Sequence, residues 1–382
     1  MSMKIGILSF EQHANYGGIL QSYALQTILE RMGHQVMVFN RPIRYRKCSF
    51  GRSCLRTFKR IVKKYFLHRR GIRVFAEKYE YKYQLLNTKY TAQFVRQHSH
   101  TYYVEKLTDI KNEFDAIIVG SDQIWRMEYF KGSWHDDRAA DAFLAFTDGW
   151  DIKRIAYAAS FGQSSTDISD EELADCKNHI QKFDAVSVRE ESGLKICRDT
   201  LGRNDVKWVL DPTMLLSIED YMSLIPADKI TSALDKPFLM SYVLDDDSAI
   251  DSLIHAICNS KGLDESRFKT YEQRDAPLDD CTRRPVEDFL LSIAQASYVL
   301  TDSFHACVFS ILFHRPFTVI VNKERGVDRF LSLLKIFGLE DRMLFSVYDY
   351  KPLPDINYKR VDDILVEKRC DSMEFLRNSL NK

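Results

Sequence analysis

Along most of this chain, short apolar runs alternate with longer stretches whose apolar positions recur every third or fourth residue. The first pattern reads as buried strand, the second as amphipathic helix. In the first half the runs predict strands over 4–10, 35–40, 114–119, 154–159, 185–188 and 206–210. Helices are expected over 18–32, 171–181 and 191–198. The alternation restarts after Asp211-Pro212, with strands over 238–244, 298–301 and 316–321 and a weaker one over 267–271. The helices of that half are expected over 249–260, 286–295, 304–313, 327–336 and 361–380. Short apolar strands set between amphipathic helices belong to parallel sheets covered on both faces. The expected architecture is therefore α/β. Two Rossmann-like lobes, 1–210 and 211–360, face each other across a cleft, and a terminal helix over 361–382 packs back on the first lobe.

One insertion, over about 41–110, breaks the alternation. Its stretch 41–73 holds 13 Lys and Arg and no Asp or Glu. Within it Leu55, Phe58, Ile61, Val62, Tyr65 and Phe66 fall at helical spacing, with Arg56, Lys59, Arg60, Lys63 and Lys64 mostly on the other side. Two readings fit. A helix over 53–66 can lie on the inner leaflet of a membrane, or its apolar stripe can pack on the first lobe.

The remaining bulk properties narrow the class. At 382 residues the length favours two domains, and 45% hydrophobic residues support ordinary folded cores. Lys+Arg and Asp+Glu are both 54, which argues against a dedicated nucleic-acid binder. The eight cysteines are scattered, with no CxxC pair and no Cys/His cluster of zinc-like spacing. Reduced thiols in the cytoplasm, with no metal or other cofactor, are the expectation. The opening residues enter a strand pattern rather than a signal peptide, and no uncharged apolar run is long enough to span a bilayer.

Candidate chemistry gathers where strands give way to helices, the edge at which open α/β sheets bind ligands. His305, in Thr301-Asp302-Ser303-Phe304-His305, follows an apolar run and opens a helical pattern. Beside an anion held at a helix N-terminus it would be a proton donor; otherwise it is a surface or capping histidine. Asn15, Tyr16, Gly17 and Gly18 stand between the first strand and first helix, where paired glycines admit a ligand or make a tight turn. Ser121 and Asp122 follow the strand over 114–119; Asp122 can accept from a sugar hydroxyl or cap the next helix. Arg189 ends another strand and suits a carboxylate or phosphate, unless it pairs with Glu190 or Glu191. Lys323 and Arg325 follow the strand over 316–321. Arg329, a helical turn later, reads slightly better as part of a solvated mixed-charge face.

Taken together these motifs resemble a known family. Asn15-Tyr16-Gly17-Gly18-Ile19-Leu20-Gln21, Gly120-Ser121-Asp122-Gln123-Ile124-Trp125, Ala156-Tyr157-Ala158-Ala159-Ser160-Phe161-Gly162, Ser187-Val188-Arg189-Glu190, Leu210-Asp211-Pro212-Thr213 and Asp302-Ser303-Phe304-His305 occur in the order found in polysaccharide pyruvyl transferases. The resemblance covers roughly 4–340. It implies a GT-B-like fold and transfer from phosphoenolpyruvate to two hydroxyls of a sugar, giving a cyclic pyruvate ketal and phosphate. The acceptor it implies is a hexosyl unit of a polysaccharide or its lipid-linked precursor. It also implies that Arg189 binds the donor and that His305 is the acid/base. Better-studied members carry Arg-Leu-His where this chain has Ser303-Phe304-His305. Ser303 and its helix N-terminus then supply neutral donors only, and a replacement cation is expected from Lys323 or Arg325. The alternatives are a GT-B glycosyltransferase using a nucleotide sugar, and a sugar-binding or scaffold protein that kept the fold without the activity.

Overall fold

The computed structural model describes residues 2–42, 50–67, 73–134, 138–230, 236–244, 248–268, 281–321 and 326–381, with side chains from 55 onward in the second of these stretches. Among them, two parallel sheets carry the fold. The first comprises β1 (Lys4–Leu8), β2 (Gln35–Asn40), β3 (Thr101–Tyr103), β4 (Ala116–Val119), β5 (Lys153–Ala159), β6 (Ala185–Val188) and β7 (Lys207–Trp208). Its spatial order is β3-β2-β1-β4-β5-β6-β7. The second comprises β8 (Phe238–Tyr242), β9 (Asp264–Arg267), β10 (Tyr298–Thr301), β11 (Phe317–Ile320) and β12 (Met343–Leu344), in the order β12-β11-β10-β8-β9. This is the α/β, GT-B-like arrangement of two parallel sheets.

The central strands β4, β6, β8 and β10 are buried at every position, because helices cover both faces. The edges are where sequence patterning fails. β3 and β12 carry too few residues to register as a pattern, and β9, over 264–267, shares Arg267 with the strand expected over 267–271, of which 269–271 lie outside the described residues. The strand expected over 206–210 shortens to two residues. One apolar core runs through both halves of the chain. Tyr16, on the helix Tyr16–Arg31, stacks on Phe289 with ring centroids 5.1 Å apart and donates from its hydroxyl to the Arg284 carbonyl. The helix Tyr358–Asn381 lies against elements of the first half. Ser372 Oγ accepts from Leu210 N at 3.0 Å, and Lys153 Nζ donates to the Leu380 carbonyl.

In the insertion, Phe50–Ile61 is helical and continues as a wider π turn, Val62–Phe66. Leu55, Phe58, Tyr65 and Phe66 are exposed rather than packed on the first lobe. No described helix is long and apolar enough to cross a membrane.

Candidate active site

The helix Phe304–Leu312 begins two residues after the buried strand β10. Ser303 is its N-cap, with Oγ accepting from Ala306 N at 3.5 Å. Thr301 Oγ1 accepts from Ser303 N at 2.9 Å and donates to the Tyr242 carbonyl, which fixes the turn. His305 is thereby set in the first helical turn and is 6% exposed. Against it stands the start of the helix Tyr16–Arg31. A Cβ added at Gly17 would collide with Nδ1 and Cγ of the His305 ring. Glycine at 17 is therefore what lets the two helix N-termini meet.

Asp211 is the hub of the site. Its Oδ2 accepts from Arg189 Nη1 at 2.6 Å and from Ser121 Oγ at 3.3 Å, and lies 3.7 Å from His305 Nε2. The last distance is an ion-pair separation, too long for a hydrogen bond. Its Oδ1 accepts from Thr213 N and Thr213 Oγ1. Burial opposes ionisation of this carboxyl, but His305, Arg189 and Thr213 outweigh it and hold it well below the usual range. The charged form of Asp211 is thus fixed beside the histidine. Arg189 Nε and Nη2, His305 Nε2 and Asp122 Oδ2 are buried and make no hydrogen bond. So many unsatisfied buried polar atoms in one cluster call for a ligand or water.

Arg329 completes the cluster. Its helix, Val327–Phe337, starts at Gly326, whose φ is +91° and where a Cβ would collide with the Gly162 carbonyl oxygen. Glu191 N donates to Ser332 Oγ, and Lys335 pairs with Glu191 at 2.6 Å. Those contacts press the helix onto the first lobe and turn Arg329 inward, to 9% exposure. The guanidinium carbons of Arg189 and Arg329 lie 4.4 and 5.5 Å from the centroid of the Phe304 ring. Desolvation, and then the charge of Arg189, lower the Arg329 pKa to about 10. Glu190 is fully buried, and burial raises its carboxyl despite Arg189 and the N–H groups of Phe161 and Gly162.

Of the residues singled out from sequence, Gly17, Ser121, Asp122, Arg189 and His305 converge here. Asp122 does not cap the following helix: Asp167 does, accepting from Met127 N and Glu128 N. Instead Asp122 Oδ1 lies 4.0 Å from Arg189 Nη2. The carboxylate bound to Arg189 is Asp211, while Glu190 takes backbone N–H groups and Glu191 takes Lys335. Tyr16 is absorbed in the core between the sheets. Asn15 sits at the N-cap of its helix without a side-chain cap bond, its Nδ2 beside Gly18. Ser303 is occupied in capping. Lys323 and Arg325 lie outside the described residues. Asp211 and Arg329 are the residues that sequence reasoning passed over as site groups. Arg329 is not on a solvated face, because Gly326 allows its helix to close on Gly162.

The geometry defines a two-lobed α/β protein in which a histidine, two arginines and buried carboxylates meet between the sheets. The chain belongs to the polysaccharide pyruvyl transferase family, whose pattern it matches over residues 15–324. No curated protein matches it. Among solved structures it is similar to the UDP-GlcNAc 2-epimerase of Methanocaldococcus jannaschii, with 11% identity, TM-score 0.47, and 96% of this chain and 92% of that chain covered. It is also similar to MnaA of S. aureus in a co-structure with UDP, at 13% identity and TM-score 0.46, covering 98% and 90%. An alpha-glucosyltransferase solved with UDP and a 13-mer DNA is 10% identical at TM-score 0.44, covering 98% and 95%. None of these likenesses bears on function.

Proposed function

We propose that the protein transfers the carbon skeleton of phosphoenolpyruvate to two hydroxyls of a hexosyl unit, forming a cyclic pyruvate ketal and releasing phosphate. The observation that carries this reading is the pair of buried guanidiniums, Arg189 and Arg329, over Phe304 and next to His305. After desolvation, the charge of Arg189 is what lowers the Arg329 pKa, and a multiply charged small anion offsets that charge. Phosphoenolpyruvate, with a phosphate and a carboxylate, is such an anion. Arg329 then does the work of the arginine that relatives carry where this chain has Ser303. Phenylalanine at 304 offers both guanidiniums a ring face.

His305 gives a proton to C3 of the donor, and C2 becomes electrophilic. Asp211, held ionised, stands 3.7 Å from Nε2 of the ring. One acceptor hydroxyl adds to C2, the bond from C2 to the phosphate oxygen breaks, and the second hydroxyl closes the ketal. Of the two hydroxyl protons, one replaces the proton given to C3 and the other leaves with phosphate. The acceptor on this reading is a polysaccharide or its lipid-linked precursor, met in the cytoplasm at the inner face of the membrane. Because Arg189 and His305 are 4% and 6% exposed, entry of the donor requires the surrounding groups to part.

Titration of the purified protein with phosphoenolpyruvate, followed by phosphate release with and without a panel of lipid-linked oligosaccharides, tests the proposal. Saturable donor binding and acceptor-dependent phosphate release are expected. Binding of a nucleotide sugar with no binding of phosphoenolpyruvate would instead make the protein a glycosyltransferase.

A further inference from the structure

The basic segment of the insertion takes no part in that site. Leu55, Phe58, Tyr65 and Phe66 are exposed along its helix and π turn. Arg56, Lys59, Lys63 and Lys64 are exposed with them, and Thr57, Arg60, Ile61 and Val62 form the inward, half-buried side. Arg60 is engaged there by Glu77 at 2.5 Å. The apolar face is turned to solvent: Leu55, Phe58, Tyr65 and Phe66 are 56%, 63%, 61% and 73% exposed. Beside its end opens a groove of about 570 Å³ lined by Ile61, Lys64, Tyr65, Val74, Phe75 and Tyr79. Exposed aromatic groups rimmed by cations mark a docking surface rather than an ordinary solvated face.

We propose that this face docks on an anionic lipid bilayer, the aromatic stripe entering the headgroup boundary and the lysines meeting lipid phosphates. Charge decides the occupant. The stretch 41–73 contains 13 Lys and Arg and no acidic residue, and the nearby Glu77 is spent on Arg60. A second copy of the chain would set one basic flank against another. A neutral bilayer would offer Lys59, Lys63 and Lys64 no counter-charge. An anionic one satisfies both halves of the amphipathic pattern at once. Docking stands on this surface alone, and rests on the proposed reaction only for its purpose, presentation of a lipid-linked acceptor.

The test is co-sedimentation of the full chain with phosphatidylcholine vesicles, with and without phosphatidylglycerol, at low and moderate salt. Binding to the anionic vesicles only, weakened by salt, is expected. Each lysine near such a surface contributes about fivefold in partitioning. The triple variant Lys59→Gln, Lys63→Gln, Lys64→Gln should therefore bind up to about a hundredfold less well, and Phe58→Ser with Phe66→Ser should abolish binding. Equal, negligible binding to both vesicles would overturn the proposal. So would binding that neither set of changes affects. A dimer in solution that the Phe58/Phe66 variant dissolves, without vesicle binding, would give the stripe to a second copy. Phosphate release on a water-soluble acceptor should be the same in every variant. Loss of docking and failure of the reaction are thus read separately.

Discussion

Replacing Arg329 by methionine separates a ligand-binding arginine from a structural one. The side chain is 9% exposed, and its pKa is lowered to about 10 by desolvation and by Arg189. At neutral pH the guanidinium is charged both folded and unfolded. The lowering therefore corresponds to a folding cost of about 3 kcal/mol, present at any pH below 10. Methionine fills similar space without that cost but gives up the contact with Phe304 and the attraction of Asp122 and Glu190, so Arg329→Met should melt within a few degrees of the parent protein. Donor binding should weaken instead. Loss of one charge-assisted bond costs about 1.5–3 kcal/mol, raising the dissociation constant for phosphoenolpyruvate roughly 10- to 150-fold. Thermal melts with and without phosphoenolpyruvate, and a calorimetric titration, read both quantities. The parent protein should gain several degrees on saturation and the variant should gain little. A variant that melts well below the parent and still binds phosphoenolpyruvate normally would refute this reasoning and make Arg329 part of a structural ion cluster.

Three further outcomes follow from the same geometry. His305→Gln should lower turnover by about 10²–10⁴-fold, the range for losing a general acid, with donor binding largely kept; near-normal turnover would remove His305 from the mechanism. Gly17→Ala forces the buried His305 ring aside and should cost about 10²-fold in kcat as well as lower the melting temperature, so full activity would mean the ring position is immaterial. Burial, opposed by Arg41, raises the Glu11 carboxyl from 4.5 to about 7. The native state therefore binds a proton that the unfolded chain releases between those values, and stability falls as pH rises through that window. Glu11→Gln should be more stable than the parent at pH 8 by up to about 3 kcal/mol, with the gap closing towards pH 4.5; parallel urea-unfolding profiles at the two pH values would contradict this.

Much of the frame is legible because local pattern and final environment agree. The buried central strands are continuous apolar runs, and His305, Arg189 and Ser121 each stand within four residues of the end of one. What local pattern cannot carry is the partner across the fold. Arg189 has Glu190 and Glu191 beside it in sequence, yet its carboxylate is Asp211 from a distant turn. Arg329 sits among charges that read as a solvated face, and the approach of Gly326 to Gly162, with the Ser332 and Lys335 contacts to Glu191, buries it. Gly17 reads as a turn or ligand glycine, whereas the group it admits is the imidazole of this chain's own His305. In the insertion the periodicity is clear and its direction is not. Periodicity says which residues share a face, and only tertiary contacts say which face turns inward.

The central claim is that the Arg189, His305 and Arg329 cluster turns phosphoenolpyruvate and a sugar diol into a ketal. Carbon-13 spectra of a reaction with donor labelled at C2, run with lipid-linked oligosaccharide and purified protein, test it most directly. The label should move from the enol carbon to a quaternary ketal carbon on the acceptor, with one phosphate released per ketal formed, and His305→Gln should suppress the transfer. Label that stays in phosphoenolpyruvate, or emerges as free pyruvate with the acceptor unchanged, would contradict the account.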